Sequence, residues 1–219
     1  MKNIVCLISG RGSNLEALLN AARVQDWGTA LSAQVTAVIS NRADAAGLNF
    51  ARAAGIATTA LDHRGFASRE LFDTALADEI DAHNPTLVVL AGFMRVLTAP
   101  FVERYRGRLI NIHPSLLPAF PGLATHRQAL TAGVRVHGAT VHYVSADVDA
   151  GAIIGQAVVP VRPDDTEDTL ASRVLTQEHV LLPRCGRLIL EDKVGWHSDG
   201  GSGRVWCAPG VAEQLLVTL

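Results

Sequence analysis

The sequence predicts an α/β fold: an open, doubly wound, mostly parallel sheet of Rossmann-like type with an antiparallel extension near its C-terminal part. Three observations carry that expectation. Residues 3–8, 33–39 and 86–91 are apolar runs with little polar alternation, as expected of strands buried on both faces. Helical patterns follow these strands, and repeated strand–helix alternation is what right-handed parallel crossovers require. Residues 136–144 and 153–161 look like two strands with only a loop between them, which suggests antiparallel pairing.

The first strand runs into Ser9-Gly-Arg-Gly-Ser-Asn14, after which Leu15, Leu18, Leu19 and Ala22 share one helical face. Strand, glycine loop and helix together turn several backbone N–H groups toward an anion. A dinucleotide fingerprint would want a small residue where Leu15 stands and an acidic residue ending the next strand. That strand closes instead on Ser40-Asn41-Arg42, so a phosphate monoester fits better than NAD. The plainer alternative is a tight turn with a Ser or Asn helix cap.

A helix over 43–54 stops at Gly55, and a short strand over 56–61 leads to Asp62-His-Arg-Gly65. The next helix, 68–83, turns Leu71, Ala75, Leu76 and Ile80 inward and ends at Asn84-Pro85. The strand over 86–91 opens into Gly92-Phe-Met-Arg-Val-Leu97, and Thr98 caps a short helix that closes at Gly107. In Arg108-Leu-Ile-Asn-Ile-His-Pro-Ser-Leu-Leu-Pro118, strand alternation gives Asn111 and His113 one face, roughly 7 Å apart. A polar pair at the carboxyl end of an apolar strand is where open α/β sheets place ligands. The alternative is two strand-end side chains that satisfy local backbone groups.

Residues 119–127 read as a loop and 128–132 as a short helix. His137 and His142 are five apart, face opposite sides of a strand and cannot share a metal, so packing or surface roles are expected. Thr166 caps a helix with acidic residues in its first turn. Leu170, Val174, Leu175 and Leu181 face the sheet, Gln177 and Glu178 lie elsewhere on the helix surface, and Pro183 and Gly186 perturb or end it. The tail after Lys193, with Gly200-Gly-Ser-Gly203 and Trp206, is loop-rich and weakly patterned. One domain is expected over 1–219: a phosphate-binding half over about 1–107, a catalytic half over about 108–192 and a divergent tail over 193–219.

With 19 Lys+Arg against 21 Asp+Glu, the charges nearly balance, which disfavours a nucleic-acid platform. Cys6, Cys185 and Cys207 are odd in number and far apart, implying neither a disulfide framework nor a thiolate metal site. No apolar stretch approaches a membrane span, and the N-terminal run is too short for a signal sequence. A soluble cytoplasmic protein is expected.

Taken together, Gly10-x-Gly-Ser-Asn14, Leu90-Ala-Gly-Phe-Met-Arg95, Asn111-Ile-His-Pro-Ser-Leu-Leu-Pro118, His137-Gly-x-Thr-Val-His-x-Val144 and Asp149-x-Gly151 resemble the phosphoribosylglycinamide formyltransferases, folate-dependent enzymes of purine synthesis. Thr125-His-Arg-Gln-Ala-Leu130 narrows the likeness to this member of the wider formyltransferase superfamily, and the match runs over about 3–182. The resemblance implies formyl transfer from 10-formyltetrahydrofolate, as cosubstrate, to glycinamide ribonucleotide. It implies no tightly bound cofactor, metal, nucleic acid or membrane partner, and a monomer or homodimer. Gly12, Ser13 and Asn14 would cradle the ribonucleotide phosphate and Glu178 would contact its ribose. Arg69 and the segment Met94, Arg95, Val96 and Leu97 would hold the folate, with Asn111 also against it. The loop Ser145, Ala146, Asp147, Val148 and Asp149 would close over its pterin. Asn111, His113 and Asp149 would form the catalytic set. Two positions depart from the pattern: Leu175, three before the glutamate, and Ala124, where a histidine is common. A formyltetrahydrofolate hydrolase would carry an extra N-terminal domain, for which a first strand at Asn3 leaves no room. A methionyl-tRNA formyltransferase would need a C-terminal RNA-binding domain. A non-catalytic folate or nucleotide binder would not be expected to keep Asn111, His113 and Asp149.

Overall fold

β1 (Lys2–Ile8) holds the middle of the first sheet because Ile4 through Ile8 carry no group that needs water, and all five are fully buried. The chain then forms α1 (Ser13–Val24), α2 (Trp27–Leu31), β2 (Ala33–Ser40), α3 (Ala46–Ala53), β3 (Ala57–Ala60), α4 (Arg69–Asp81), β4 (Pro85–Leu90), α5 (Ala99–Arg104) and β5 (Leu109–His113). In this computed structural model, which describes residues 1–198 and 203–218, the chain divides into two compact units after Asn111.

In the first unit the strand order is β5-β4-β1-β2-β3 and every pairing is parallel. Successive strands move away from β1 in one direction, and β4 then returns to its other side. The order therefore reverses between β1 and β4, where the carboxyl ends open into a crevice. Burial pushes the Cys6 thiol up to about 12, so it is an inert apolar filler of β1.

Several expectations are corrected. α2 is an additional short helix, held by the buried Trp27 indole and by Asp26, whose side chain accepts from the Thr29 N–H at 3.4 Å. The helix expected over 43–54 spans only Ala46–Ala53. In α4 Leu76 and Ile80 face inward as expected, but Leu71 is exposed and Ala75 only half-buried, while Phe72, Asp73 and Ala77 are buried. Phe72 wins the interior place because its ring packs edge-on against His63 and Phe66. Asp73 is there because it accepts a backbone hydrogen bond from Thr98.

The second unit contains α6 (Thr125–Ala132), β6 (Val136–Tyr143), β7 (Ile153–Pro160), α7 (Glu167–Leu190), β8 (Val194–His197), β9 (Arg204–Cys207) and β10 (Leu216–Thr218). β6 and β7 are antiparallel, as expected, and β10 adds in parallel beside β7. α6 begins three residues earlier than expected, at Thr125, whose hydroxyl donates to the Pro114 carbonyl at 2.6 Å. α7 is also longer: Pro183 and Gly186 lie inside it and the helix continues to Leu190. A proline removes one helical hydrogen bond, but Leu181, Leu182, Cys185, Leu188 and Leu190 are all buried around it, and that apolar seam carries the helix past the break. Gln177 and Glu178 are buried rather than on the helix surface. Thr166 caps α7 in a reciprocal pair with Thr169.

The tail is more ordered than its pattern suggested. β8 and β9 form an antiparallel ladder in which Gly195 faces Trp206 so closely that a Cβ there would lie 2.5 Å from the indole Nε1. Gly200, Gly201 and Ser202 of the glycine run lie outside the described residues.

Candidate active site

In the first unit, the turn after β1 is built by two glycines in contact. Gly12 is the N-cap of α1, in the left-handed region at φ 80°, and brings no side-chain acceptor to the first-turn N–H groups. A Cβ on Gly12 would come within 2.8 Å of the Gly47 Cα. A Cβ on Gly47 would meet the Ile8 Cδ1 at 2.6 Å and the Gly12 Cα at 3.1 Å. The Gly47 N–H also donates to the Gly10 carbonyl at 3.1 Å. The loop is thus pressed against the start of α3, with the helix dipole of α1 behind it.

That loop lines a cavity of about 430 Å³ at the carboxyl ends of β1, β2 and β4. Ser13 and Asn14 lie on its wall with the glycines, joined by Asn41, Arg42 and His63 and by Met94 and Arg95. Phe93 and Leu97 are buried, whereas Met94 (73% exposed) and Val96 turn outward. The segment therefore anchors at both ends and presents its backbone edge between them. The Arg95 guanidinium lies over the Phe72 ring, 5.2 Å from its centre. Arg69 opens α4 and is exposed. Asn111 is on β5, opposite Leu90 of β4.

In the second unit, His113 ends β5 with a side chain only 7% exposed. Its Nδ1 is 3.4 Å from the Asp149 carboxylate and its Nε2 is 3.1 Å from the Phe120 carbonyl. Both partners are acceptors, one facing each ring nitrogen. The Gly122 N–H donates to the same Asp149 oxygen at 2.8 Å. One loop thus touches both members of the pair, through a carbonyl and an amide two residues apart. Phe120, Gly122 and Ala124 all take positive φ to do so (55°, 79° and 55°). The loop is held in that strained form by Ser115, whose hydroxyl donates to the Ala119 carbonyl, and by Gln128, which donates to the Leu123 carbonyl. Asp149 is itself left-handed at φ 53°.

His142 is a site residue that sequence reasoning missed. It is buried, and its Nε2 lies 3.8 Å from the other Asp149 oxygen. Burial lowers its pKa, against the opposing influence of the Tyr143 carbonyl and Asp149. Alternation alone could not find it, because its partner Asp149 lies on the loop after β6 and takes a left-handed backbone to face it. His137, also buried, has its Nε2 3.2 Å from the His126 Nδ1 and packs edge-on against Phe120.

Of the remaining expected residues, Ser145 turns back on Asp147, donating to its carbonyl at 2.9 Å, while Ala146, Asp147 and Val148 are exposed. Glu178 is buried on α7, one turn beyond the half-buried Leu175. Among the described residues no cluster of His, Cys, Asp or Glu is arranged to hold a metal ion.

A family model described as "Formyl transferase" matches residues 2–185. A phosphoribosylglycinamide formyltransferase of Escherichia coli (strain K12) is 50% identical over 200 residues, covering 89% of this chain and 92% of its own. The crystal structure of a glycinamide ribonucleotide transformylase from Symbiobacterium toebii superposes with a TM-score of 0.87 at 45% identity, covering 94% of each chain. That of a phosphoribosylglycinamide formyltransferase from Anaplasma phagocytophilum gives 0.87 at 41% identity, over 99% of this chain and 98% of the other.

Proposed function

This chain belongs to the formyl transferase family, and from that premise we propose which of its residues carry formyl transfer from 10-formyltetrahydrofolate to the amine of glycinamide ribonucleotide, the function of its closely matching relatives. Gly12, Ser13 and Asn14 receive the phosphate at the start of α1, where N–H groups and helix dipole favour an anion. Glu178 addresses the ribose. The backbone edge from Met94 to Leu97, with Arg69 and the loop from Ser145 to Asp149, holds the folate.

The chemistry follows from His113 and its neighbours. The amine nitrogen attacks the formyl carbon, and a carbon–nitrogen bond forms as the carbonyl becomes an oxyanion. Asn111 donates a hydrogen bond to that oxygen, a contribution of about 3–4 kcal/mol in the transition state. His113, with its Nε2 turned from the Phe120 carbonyl to the substrate, donates a second. As the bond from the formyl carbon to the folate nitrogen breaks, that nitrogen takes a proton from the imidazole, and the imidazole is restored by the proton that the attacking nitrogen loses. Asp149, beside the Nδ1, holds the ring in its orientation. Fixing both substrates in line supplies much of the remaining acceleration.

The observation that carries this reading is the His113 imidazole set between the Asp149 carboxylate and the Phe120 carbonyl. The test is a coupled assay: loss of the formyl group from 10-formyltetrahydrofolate should require glycinamide ribonucleotide, and His113→Ala should lower kcat far more than it raises either KM. Formate release without the acceptor, or an unchanged kcat, overturns the reading.

A further inference from the structure

The segment from Phe93 to Thr98 is tied at both ends by buried side chains that none of the preceding chemistry uses. At its start the Met94 N–H donates to the Ser9 hydroxyl at 2.7 Å. Ser9, buried at the end of β1, donates in turn to the Asn41 side-chain oxygen at 2.6 Å. Asn41, buried at the end of β2, lies 3.2 Å from the His63 Nδ1 through its amide nitrogen. At the far end the Thr98 N–H donates to the Asp73 carboxylate at 2.6 Å. Asp73 is buried on α4, and among the described residues its other oxygen has no hydrogen-bond partner. Burying a carboxylate with one oxygen unpartnered costs stability, so its place there needs a reason beyond the packing of α4.

We propose that Ser9 and Asp73 are positioning residues for the one-carbon donor: they fix the two ends of the Met94–Leu97 backbone so that its edge meets the folate in one geometry. This rests on the reading of that segment as folate-holding. The span is otherwise irregular backbone, with no sheet ladder or helix of its own between β4 and α5. Its N–H and C=O groups can act as a rigid template only if its termini are held. Asn41 serves the same end by orienting the Ser9 hydroxyl, so that one proton points to the amide oxygen and a lone pair remains for Met94.

The test uses paired variants of the enzyme that differ by one hydrogen-bonding group. Ser9→Thr and Ser9→Val have the same shape and differ by the hydroxyl. Asp73→Asn keeps an acceptor oxygen that Asp73→Ala lacks. Losing one such bond is expected to raise the KM for 10-formyltetrahydrofolate about three- to tenfold in Ser9→Val over Ser9→Thr, and in Asp73→Ala over Asp73→Asn. The KM for the ribonucleotide should stay within about twofold in each pair, a split that general loosening would not give. Adding Asn41→Ala to Ser9→Val should change little more, since both cut one chain of bonds. Equal folate KM values within each pair, or parallel rises in both substrates' KM, overturn the proposal. Amide NMR shifts of residues 94–97 on adding 10-formyl-5,8-dideazafolate provide the separate check: if those amides do not move, the folate-holding reading fails. If they move while the pairs stay equal, only the positioning role fails.

Discussion

At Gly47 the space allows a hydrogen atom and no more, since a methyl group would press on the Ile8 side chain and on the Gly12 backbone at once. The two neighbours differ in how they can yield: the Ile8 Cδ1 can swing aside, whereas the Gly12 Cα belongs to the backbone of the loop proposed to receive the phosphate. Gly47→Ala should therefore destabilise the protein by about 1–3 kcal/mol and raise the KM for the ribonucleotide several-fold. Adding Ile8→Val removes the flexible clash, and thermal unfolding should recover while that KM stays high. Recovery of both would show that the loop does not depend on the contact. At the proposed catalytic pair, Asp149→Asn keeps the size of the side chain but removes its charge beside His113. It should lower kcat about 10²-fold or more with a smaller change in the folate KM, as steady-state kinetics would read.

Among the elements, α7 best shows local signals and tertiary packing pulling in different directions. Its start is local: Thr166 and Thr169 cap each other's backbone N–H groups, and Thr166→Ala should cost about 1 kcal/mol, measurable by chemical denaturation. Its course past Pro183 is not local, because buried leucines on both sides of the proline hold it. The Asp165 carboxylate just before the helix accepts two hydrogen bonds from Arg173, which hold its pKa well below the usual carboxylate range. Removing one partner strands the other charge, so Asp165→Ala should destabilise by about 3–5 kcal/mol, and a much smaller loss would mean that Arg173 finds water instead.

For the molecule as a whole, the buried histidines set an acid limit. Burial, with His126 adding to it, brings the His137 pKa down to about 4, and burial also lowers those of His126 and His142. Unfolding exposes these rings and lets them take protons near the ordinary value of about 6.5. Between those values the unfolded chain binds more protons than the folded one, so stability is full above about pH 6.5 and falls as pH drops toward 4. Calorimetry should show the melting temperature declining through that window, with a shallower decline in His137→Gln. An identical slope would remove His137 as a contributor. Among the described residues no helix is long and apolar enough to cross a membrane, and the net charge of −2 adds little self-repulsion.

Much of the fold is local information. The apolar runs over 4–8 in β1 and 87–90 in β4 read as interior strands because their side chains carry no group that needs water. The glycine turn after β1 reads as an anion loop because only residues lacking a Cβ can turn there. The family was legible because its motifs are short, ordered along the chain and rich in chemistry. What tertiary structure decided lies wherever a side chain answers to partners far along the chain. In α4 Phe72 and Asp73 face inward in place of Leu71 because Asp73 serves Thr98 and Phe72 packs against the His63 turn. His142 meets Asp149 because the loop after β6 folds back over the strand end, which alternation cannot foresee. β8, β9 and β10 formed from a weakly patterned tail because strand pairing supplies the stability that periodicity does not announce. Sequence determined which groups are available; long-range packing and hydrogen bonding decided which of them meet, because the energy of such contacts depends on neighbours that no local stretch contains.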